Sequence, residues 1–191
     1  MTRWPRFSGI TFLMAALLCI SLAGVLLAGQ SSLPFGTPLT LSYYRDSSAT
    51  MAVSEIADLP VDAFKNGGSN PSFSYTDDAI WVRLAWPGIV LAEPLLLEVL
   101  PSTLDSVSVY QFWPGAGWQV RQSGDRFPYD SREVAARAFV FQLSEIEHPV
   151  FIRITSSNSL FLRMVLWEAG AYHKYASMLT MVWGLYFGLT G

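Results

Sequence analysis

From Leu39 to Trp167 apolar and polar residues alternate with a period of two over short stretches, the spacing of β-strands with one buried face. In Ala79–Trp86, Ile80, Val82, Leu84 and Trp86 share one face, and Trp81 and Arg83 share the other. In Ser159–Trp167, Leu160, Leu162, Met164 and Leu166 oppose Phe161, Arg163, Val165 and Trp167. In His148–Thr155, Val150, Ile152 and Ile154 oppose Phe151 and Arg153. Further strands are expected at Leu39–Tyr44, Phe73–Thr76, Leu95–Leu100, Ser106–Phe112, Trp118–Gln122 and Arg137–Leu143. Turn residues separate them: Asn66-Gly67-Gly68, Trp86-Pro87-Gly88, Pro114-Gly115-Ala116-Gly117 and Ser156-Ser157-Asn158. The pattern predicts an all-β fold, an antiparallel jelly roll or β-sandwich. One short helix is expected at Ser54–Leu59, with Ser54 as its cap and Pro60 just past its end.

The two ends follow a different pattern. Arg3 and Arg6 precede an uncharged run from Ile10 to Gly29, the layout of a signal peptide or a signal anchor. Both readings keep the arginines in the cytoplasm and place residues from about 31 onward outside. Met178–Gly191 is also uncharged, and as a helix it would rise about 21 Å, short of the roughly 30 Å of a bilayer's hydrocarbon core. It is expected to be the start of a membrane helix entering from outside, with His173 and Lys174 at the headgroup level. The chain therefore divides into a signal or anchor over residues 1–30, a β-sandwich over 36–168, and a juxtamembrane segment with the start of a helix over 169–191.

Composition points to membrane contact or to an unusually apolar fold: 51% of residues are hydrophobic and only 14% charged, against about 25% in soluble domains. The net charge of −3 and the absence of a basic stripe argue against a nucleic-acid partner. Cys19 is the only cysteine, so no disulfide framework, redox pair or cysteine zinc site can form.

One detail recurs. Trp81-Val82-Arg83, Phe151-Ile152-Arg153 and Phe161-Leu162-Arg163 each place an aromatic and an arginine on the same strand face. If the three strands share a sheet, a flat aromatic and cationic surface results. Such pairs often simply finish a half-exposed sheet, the arginine stem lying over the ring. The sharper expectation is a ligand-binding face, with a sugar on the rings and a carboxylate or hydroxyl on the guanidinium.

Catalytic and metal signals are absent. His148 and His173 flank different elements and suggest no shared metal. Asp77-Asp78 reads as a turn. No nucleophile elbow, phosphate loop or dinucleotide fingerprint occurs, and Glu133, Glu145 and Glu147 lack an evident acid–base partner. No cofactor is implied, and nothing in the sequence argues for an enzyme.

Several stretches taken in order carry a resemblance: FSYTDDAIWVRLAW, LLLEVLPSTLDSVSVYQ, GDRFPYDSREVAARAFVFQL, FIRITSSNSLFLRMVLW and GLYFG. From about Leu41 to the last residue the chain resembles the extracellular type 2 sensor domain of bacterial seven-transmembrane receptors with diverse intracellular signalling modules (7TMR-DISM). The resemblance implies a periplasmic jelly roll that binds a carbohydrate or a related small ligand. It also implies seven membrane helices, the first of which Met178–Gly191 would begin and then break off, and a cytoplasmic output module such as a diguanylate cyclase or histidine kinase, absent from this chain. The family's W-x-R falls on Trp81 and Arg83, and its loop arginines before the F-V-F strand fall on Arg132 and Arg137. Where the family often has a histidine beside the second arginine, Ala135-Ala136 stand here.

The expected ligand-binding residues are thus Trp81, Arg83, Arg132, Arg137, Phe151, Arg153, Phe161 and Arg163, in a sensor tethered to the inner membrane with its β-domain in the periplasm. Two other functions fit the residues. A protein-interaction sandwich would use the aromatic face to form a homodimer or to contact a periplasmic partner, with no small ligand, and a secreted carbohydrate-active enzyme would hydrolyse glycans.

Overall fold

The computed structural model describes residues 36–84, 95–143 and 148–190. The run Ile10–Gly29 lies outside them, as do Trp86, Glu145 and Glu147. The chain divides into two compact units, Met1–Phe35 and Gly36–Gly191, and the fold described is that of the second.

Alternating apolar residues produce two main antiparallel sheets and a two-stranded ribbon. In chain order the strands are β1 (Thr37–Pro38), β2 (Ser42–Asp46), β3 (Lys65–Asn66), β4 (Ser72–Phe73), β5 (Ala79–Leu84), β6 (Leu95–Leu100), β7 (Ser106–Trp113), β8 (Gly117–Ser123), β9 (Phe139–Leu143), β10 (Val150–Thr155), β11 (Leu160–Phe161) and β12 (Arg163–Glu168). A six-stranded sheet runs β3-β2-β5-β10-β7-β8, a four-stranded sheet runs β1-β12-β6-β9, and β4 pairs with β11. The main core includes Ile80, Val82, Val107, Val109, Ile152 and Ile154 from the larger sheet. From the smaller it includes Leu95, Leu97, Val99, Phe139, Phe141 and Met164, and all of these are buried. The expected β-sandwich is therefore present.

Each sheet is also covered on part of its outer face. On the six-stranded sheet, residues between β2 and β3 lay down helix α1 (Val53–Ala57) and a short 3-10 turn at Val61–Ala63. Their Ile56 and Phe64 pack on Ala79, Trp81 and Phe151 to make a second apolar cluster. On the four-stranded sheet, β12 leads directly into helix α2 (Ala169–Thr190). Tyr172 of α2 is buried there with Leu96, Ala138, Val140, Val165 and Trp167.

Several expected boundaries move. The helix expected to be capped by Ser54 begins one residue earlier, at Val53, and it is the Glu55 carboxylate that accepts from the Ala52 N–H, at 2.6 Å. The stretch Ser159–Trp167 is not one strand. It breaks at Leu162, whose N–H donates to Pro71 O at 2.9 Å, so Leu160–Phe161 joins β4 while Arg163–Glu168 joins the four-stranded sheet. The expected strand Leu39–Tyr44 likewise splits between β1 and β2, because Leu41 turns its backbone to Gly67 and Gly68. Side chains of α2 from Ser177 to Gly188 are exposed, among them Trp183, Leu185 and Phe187. Among the described residues no helix is long and apolar enough to cross a membrane.

Candidate functional site

Two of the three aromatic-x-arginine triplets do meet on one face. β5 and β10 are antiparallel neighbours, and their register sets Arg83 opposite Phe151 and Trp81 opposite Arg153. The pleat points all four outward, away from the main core, in an alternating aromatic and cationic square. The third triplet is elsewhere. Phe161 lies on β11 opposite Ser72, and Arg163 lies on β12 opposite Leu100 in the other sheet; both are exposed. The continuous three-strand surface expected from the sequence does not form, because the break at Leu162 sends the two halves of that stretch to different partners.

Nor is the square an open surface. Trp81 and Phe151 are 0% and 2% exposed beneath the cover of α1 and Phe64. Arg153 is used to hold that cover, its Nη2 donating to Ala49 O at 2.6 Å. Asp46, at the end of β2, fixes the same segment: its carboxylate accepts from Ser48 N and Oγ, Ala49 N and Met51 N at 2.6–3.1 Å. Burial works against its charge, but these hydrogen bonds outweigh it and hold the Asp46 carboxyl below its usual range.

Arg83 is different. It is half-buried at the rim of the cover and has no hydrogen-bond or ion-pair partner among the described residues. Beside it the outer face continues across β10 to β7 and β8. The register Phe151–Tyr110–Val120 and the pair Phe112–Trp118 line up rings on that face. Phe112 lies 5.3 Å from Trp118 and 5.0 Å from the exposed His148, and Trp118 lies 5.6 Å from Phe151. Tyr110, Phe112 and Trp118 are half-buried, and Val120 is exposed. The result is a shallow aromatic shelf with, at its margin, a guanidinium that has no partner among the described residues. Sequence reasoning missed the shelf, although the signal was there: Ser106–Phe112 and Trp118–Gln122 were read as strands and Pro114–Gly117 as a turn, and joining them as a hairpin brings Phe112 opposite Trp118.

The loop arginines belong to neither place. Arg132 sits 4.9 Å from the ring centroids of both Tyr129 and Phe139 and donates to Ala136 O and Arg137 O at 2.7 and 3.0 Å, bracing the irregular segment before β9. Arg137 is exposed at the start of that strand's approach. Arg126 and Ser157, from two further loops, converge on one carboxylate instead. Asp105 accepts from Arg126 Nη2 at 2.9 Å and from Ser157 N at 3.1 Å. Its main chain also receives the Arg126 N–H, while Leu104 O receives that of Asp125. Three loops are thereby knotted at one end of the sandwich. Asp78, in the Asp77-Asp78 turn, is ion-paired with Arg45 at 2.7 Å.

At the open edge between the sheets, Arg121 of β8 reaches inward to Gln111, to Glu133 Oε1 at 2.8 Å and to the main-chain oxygen of Gln142 on β9. One side chain thus ties the strand that carries the shelf to the four-stranded sheet.

The family model described as 7TMR-DISM extracellular 2 matches residues 40–168, well over half of the chain. No curated protein matches.

Proposed function

The chain belongs to the 7TMR-DISM extracellular 2 family, and from that premise we propose that its jelly-roll sandwich is the ligand-reading part of a membrane receptor. Family membership makes residues 40–168 a receptor sensor domain of the periplasmic kind. The finer reading is that it takes a small polar ligand with an apolar face, a carbohydrate first, on the shelf of Tyr110, Phe112 and Trp118 beside Arg83. The run Ile10–Gly29 would anchor or export it, α2 would begin the first membrane helix, and the output module would follow. What supports the reading is the Arg83 guanidinium, without a hydrogen-bond or ion-pair partner among the described residues, next to half-buried rings. Arginines 45, 121, 126, 132 and 153 all have partners within the fold. An aromatic surface with a convergent cationic donor is how small-ligand sites hold and orient their guests.

The reading also gives Trp81 and Phe151 a role different from the expected one. Buried under α1, they would form the floor that keeps Trp118 and Tyr110 in place, with Trp81 5.4 Å from Tyr110. The test is titration of the full chain in detergent with a panel of mono- and oligosaccharides and small carboxylates, read by tryptophan fluorescence. A saturable response lost in both Arg83→Ala and Trp118→Ala, with folding intact, supports the site. A panel without any response, or a response retained in both variants, overturns it.

A further inference from the structure

The joint between the sandwich and α2 is built around one indole. Trp167, near the end of β12, is 5% exposed, and its Nε1 donates to Glu98 Oε2 at 2.9 Å. Tyr175 of α2 stacks on the Trp167 ring at 4.8 Å and 25°, and Tyr172 meets it edge-on at 5.7 Å. Gly36 lies so close to the same ring that a Cβ there would overlap it and Val165. The chain that enters the sandwich and the helix that leaves it therefore touch the same side chain.

Glu98 is the unusual member of this cluster. It is 8% exposed, within an otherwise apolar strand, and the Trp167 indole is its hydrogen-bond donor. Opposite it on β12 and β9 stand Val165 and Val140, and its neighbours along β6 on the same face are Leu96 and Leu100. The charged and titratable groups acting here are Arg163 from β12, Tyr172 and Tyr175 from α2 and Tyr129 from a second 3-10 turn, Tyr129–Ser131, before β9. Burial pushes the Glu98 carboxyl up, and the indole hydrogen bond and the Arg163 charge offset this only in part. Burial likewise pushes the Tyr172 hydroxyl up to about 12, with the Glu98 charge adding to the effect.

We propose that Glu98 and Trp167 form a latch that couples the ionisation of one buried carboxyl to the docking of the first two turns of α2 on the four-stranded sheet. With Glu98 protonated, the joint buries no net charge, and Tyr172 and Tyr175 stay seated on Trp167. With Glu98 ionised, the arrangement that lets water reach the carboxylate gains, and that arrangement is one with the helix start loosened. The latch rests on the receptor reading only for its recipient, the helix expected to carry a signal inward. Its own test needs no ligand, so its failure and that of the ligand shelf are read separately.

The experiment is hydrogen exchange of the full chain in detergent, followed on peptides covering Ala169–Ala176 at about pH 5 and about pH 8 and corrected for the intrinsic pH dependence of exchange. Exchange in the wild type is expected to be several-fold slower in acid, with a ceiling of about tenfold per unit of raised pKa. Glu98→Gln should be slow at both values. His173→Gln should behave as wild type, although His173 is exposed and lies 6.2 Å from the Tyr172 ring. Trp167→Phe keeps a ring under Tyr175 and removes the donor, so it should shift the midpoint of the pH dependence upward. Equal wild-type protection at both values, a pH dependence retained in Glu98→Gln or lost in His173→Gln, or an unmoved midpoint in Trp167→Phe would each overturn the latch.

Discussion

Replacing Trp81 by alanine separates a floor residue from a ligand contact. Trp81 is 0% exposed and packs with Ile56, Phe64, Ala79 and Phe151 under the α1 cover. Truncating a buried tryptophan costs about 3–5 kcal/mol in lost transfer energy and cavity. One term acts the other way: Trp81 Nε1 is buried without a hydrogen-bond partner among the described residues, and removing an unsatisfied donor returns about 1–3 kcal/mol. At the middle of these ranges the net loss is about 2 kcal/mol, which at about 2–4 °C per kcal/mol for a domain of this size lowers Tm by about 4–8 °C. The assay is thermal unfolding of the full chain in detergent by near-UV circular dichroism, with Phe161→Ala as the comparison. Phe161 occupies the same place in its triplet but is 50% exposed, so its truncation should stay within about 0.5 kcal/mol. If the two variants melt within about 2 °C of each other, the cover over Trp81 is not a packed layer, and the distinction between floor and shelf fails.

Other outcomes follow from the same packing. Asp46→Ala should cost about 1–3 kcal/mol by removing the acceptor that holds the start of the α1 cover, seen as a lower urea midpoint at neutral pH. Because the Asp46 carboxyl is held below its ordinary 3.8, its contribution is present above that value and lost as pH falls through the lowered one, so Asp46→Asn should flatten the acid limb of a stability–pH curve. Glu98 has the opposite sign: its carboxyl is raised above 4.5, so it favours the fold below that value and loses this advantage as pH rises through the folded pKa. Glu98→Gln should therefore raise Tm at about pH 8 and leave it nearly unchanged at about pH 4, and a drop at the higher pH would contradict that sign. Gly124→Ala should be among the most damaging single changes: φ is +145°, and a Cβ would stand 2.8 Å from both Asp105 C and Ser106 Cα. Strain and overlap together cost about 2–6 kcal/mol, measurable as loss of folded yield or a shifted urea midpoint.

Much of the sandwich was legible because period-two alternation is a local property. Ile80, Val82, Val150, Ile152 and Ile154 were placed on buried faces from spacing alone, and they are buried. What the alternation does not carry is which strand pairs with which. The triplets around Trp81, Phe151 and Phe161 look alike in sequence, yet β5 and β10 are neighbours while the third stretch breaks at Leu162 and leaves that sheet. The cover was unreadable for a related reason. A five-residue helix and a 3-10 turn have too few residues to show a face, and only tertiary packing reveals that Ile56 and Phe64 land on Trp81. The loop knot was hidden likewise, since Arg126 and Ser157 lie far apart along the chain and both bind Asp105.

The buried carboxylates show how the fold, and not the residue type, decides what a charge does. Asp46 and Glu98 are both strand residues with little exposure, and both would be read as solvent-facing from their type alone. Asp46 closes its own loop, so backbone N–H groups and a serine hydroxyl surround it, and the ionised form is favoured. Glu98 sits mid-strand, where the backbone N–H groups around it are already committed to the ladder, and an indole from β12 must serve. A carboxyl in that position is easier to keep neutral than charged. The sequence did carry a hint, because Glu98 is the sole charge in the apolar run Leu95–Leu100. A strand optimised for stability alone would place an apolar residue there. A glutamate that instead holds the indole beneath Tyr172 and Tyr175 sets the firmness of the sandwich–helix joint by its protonation.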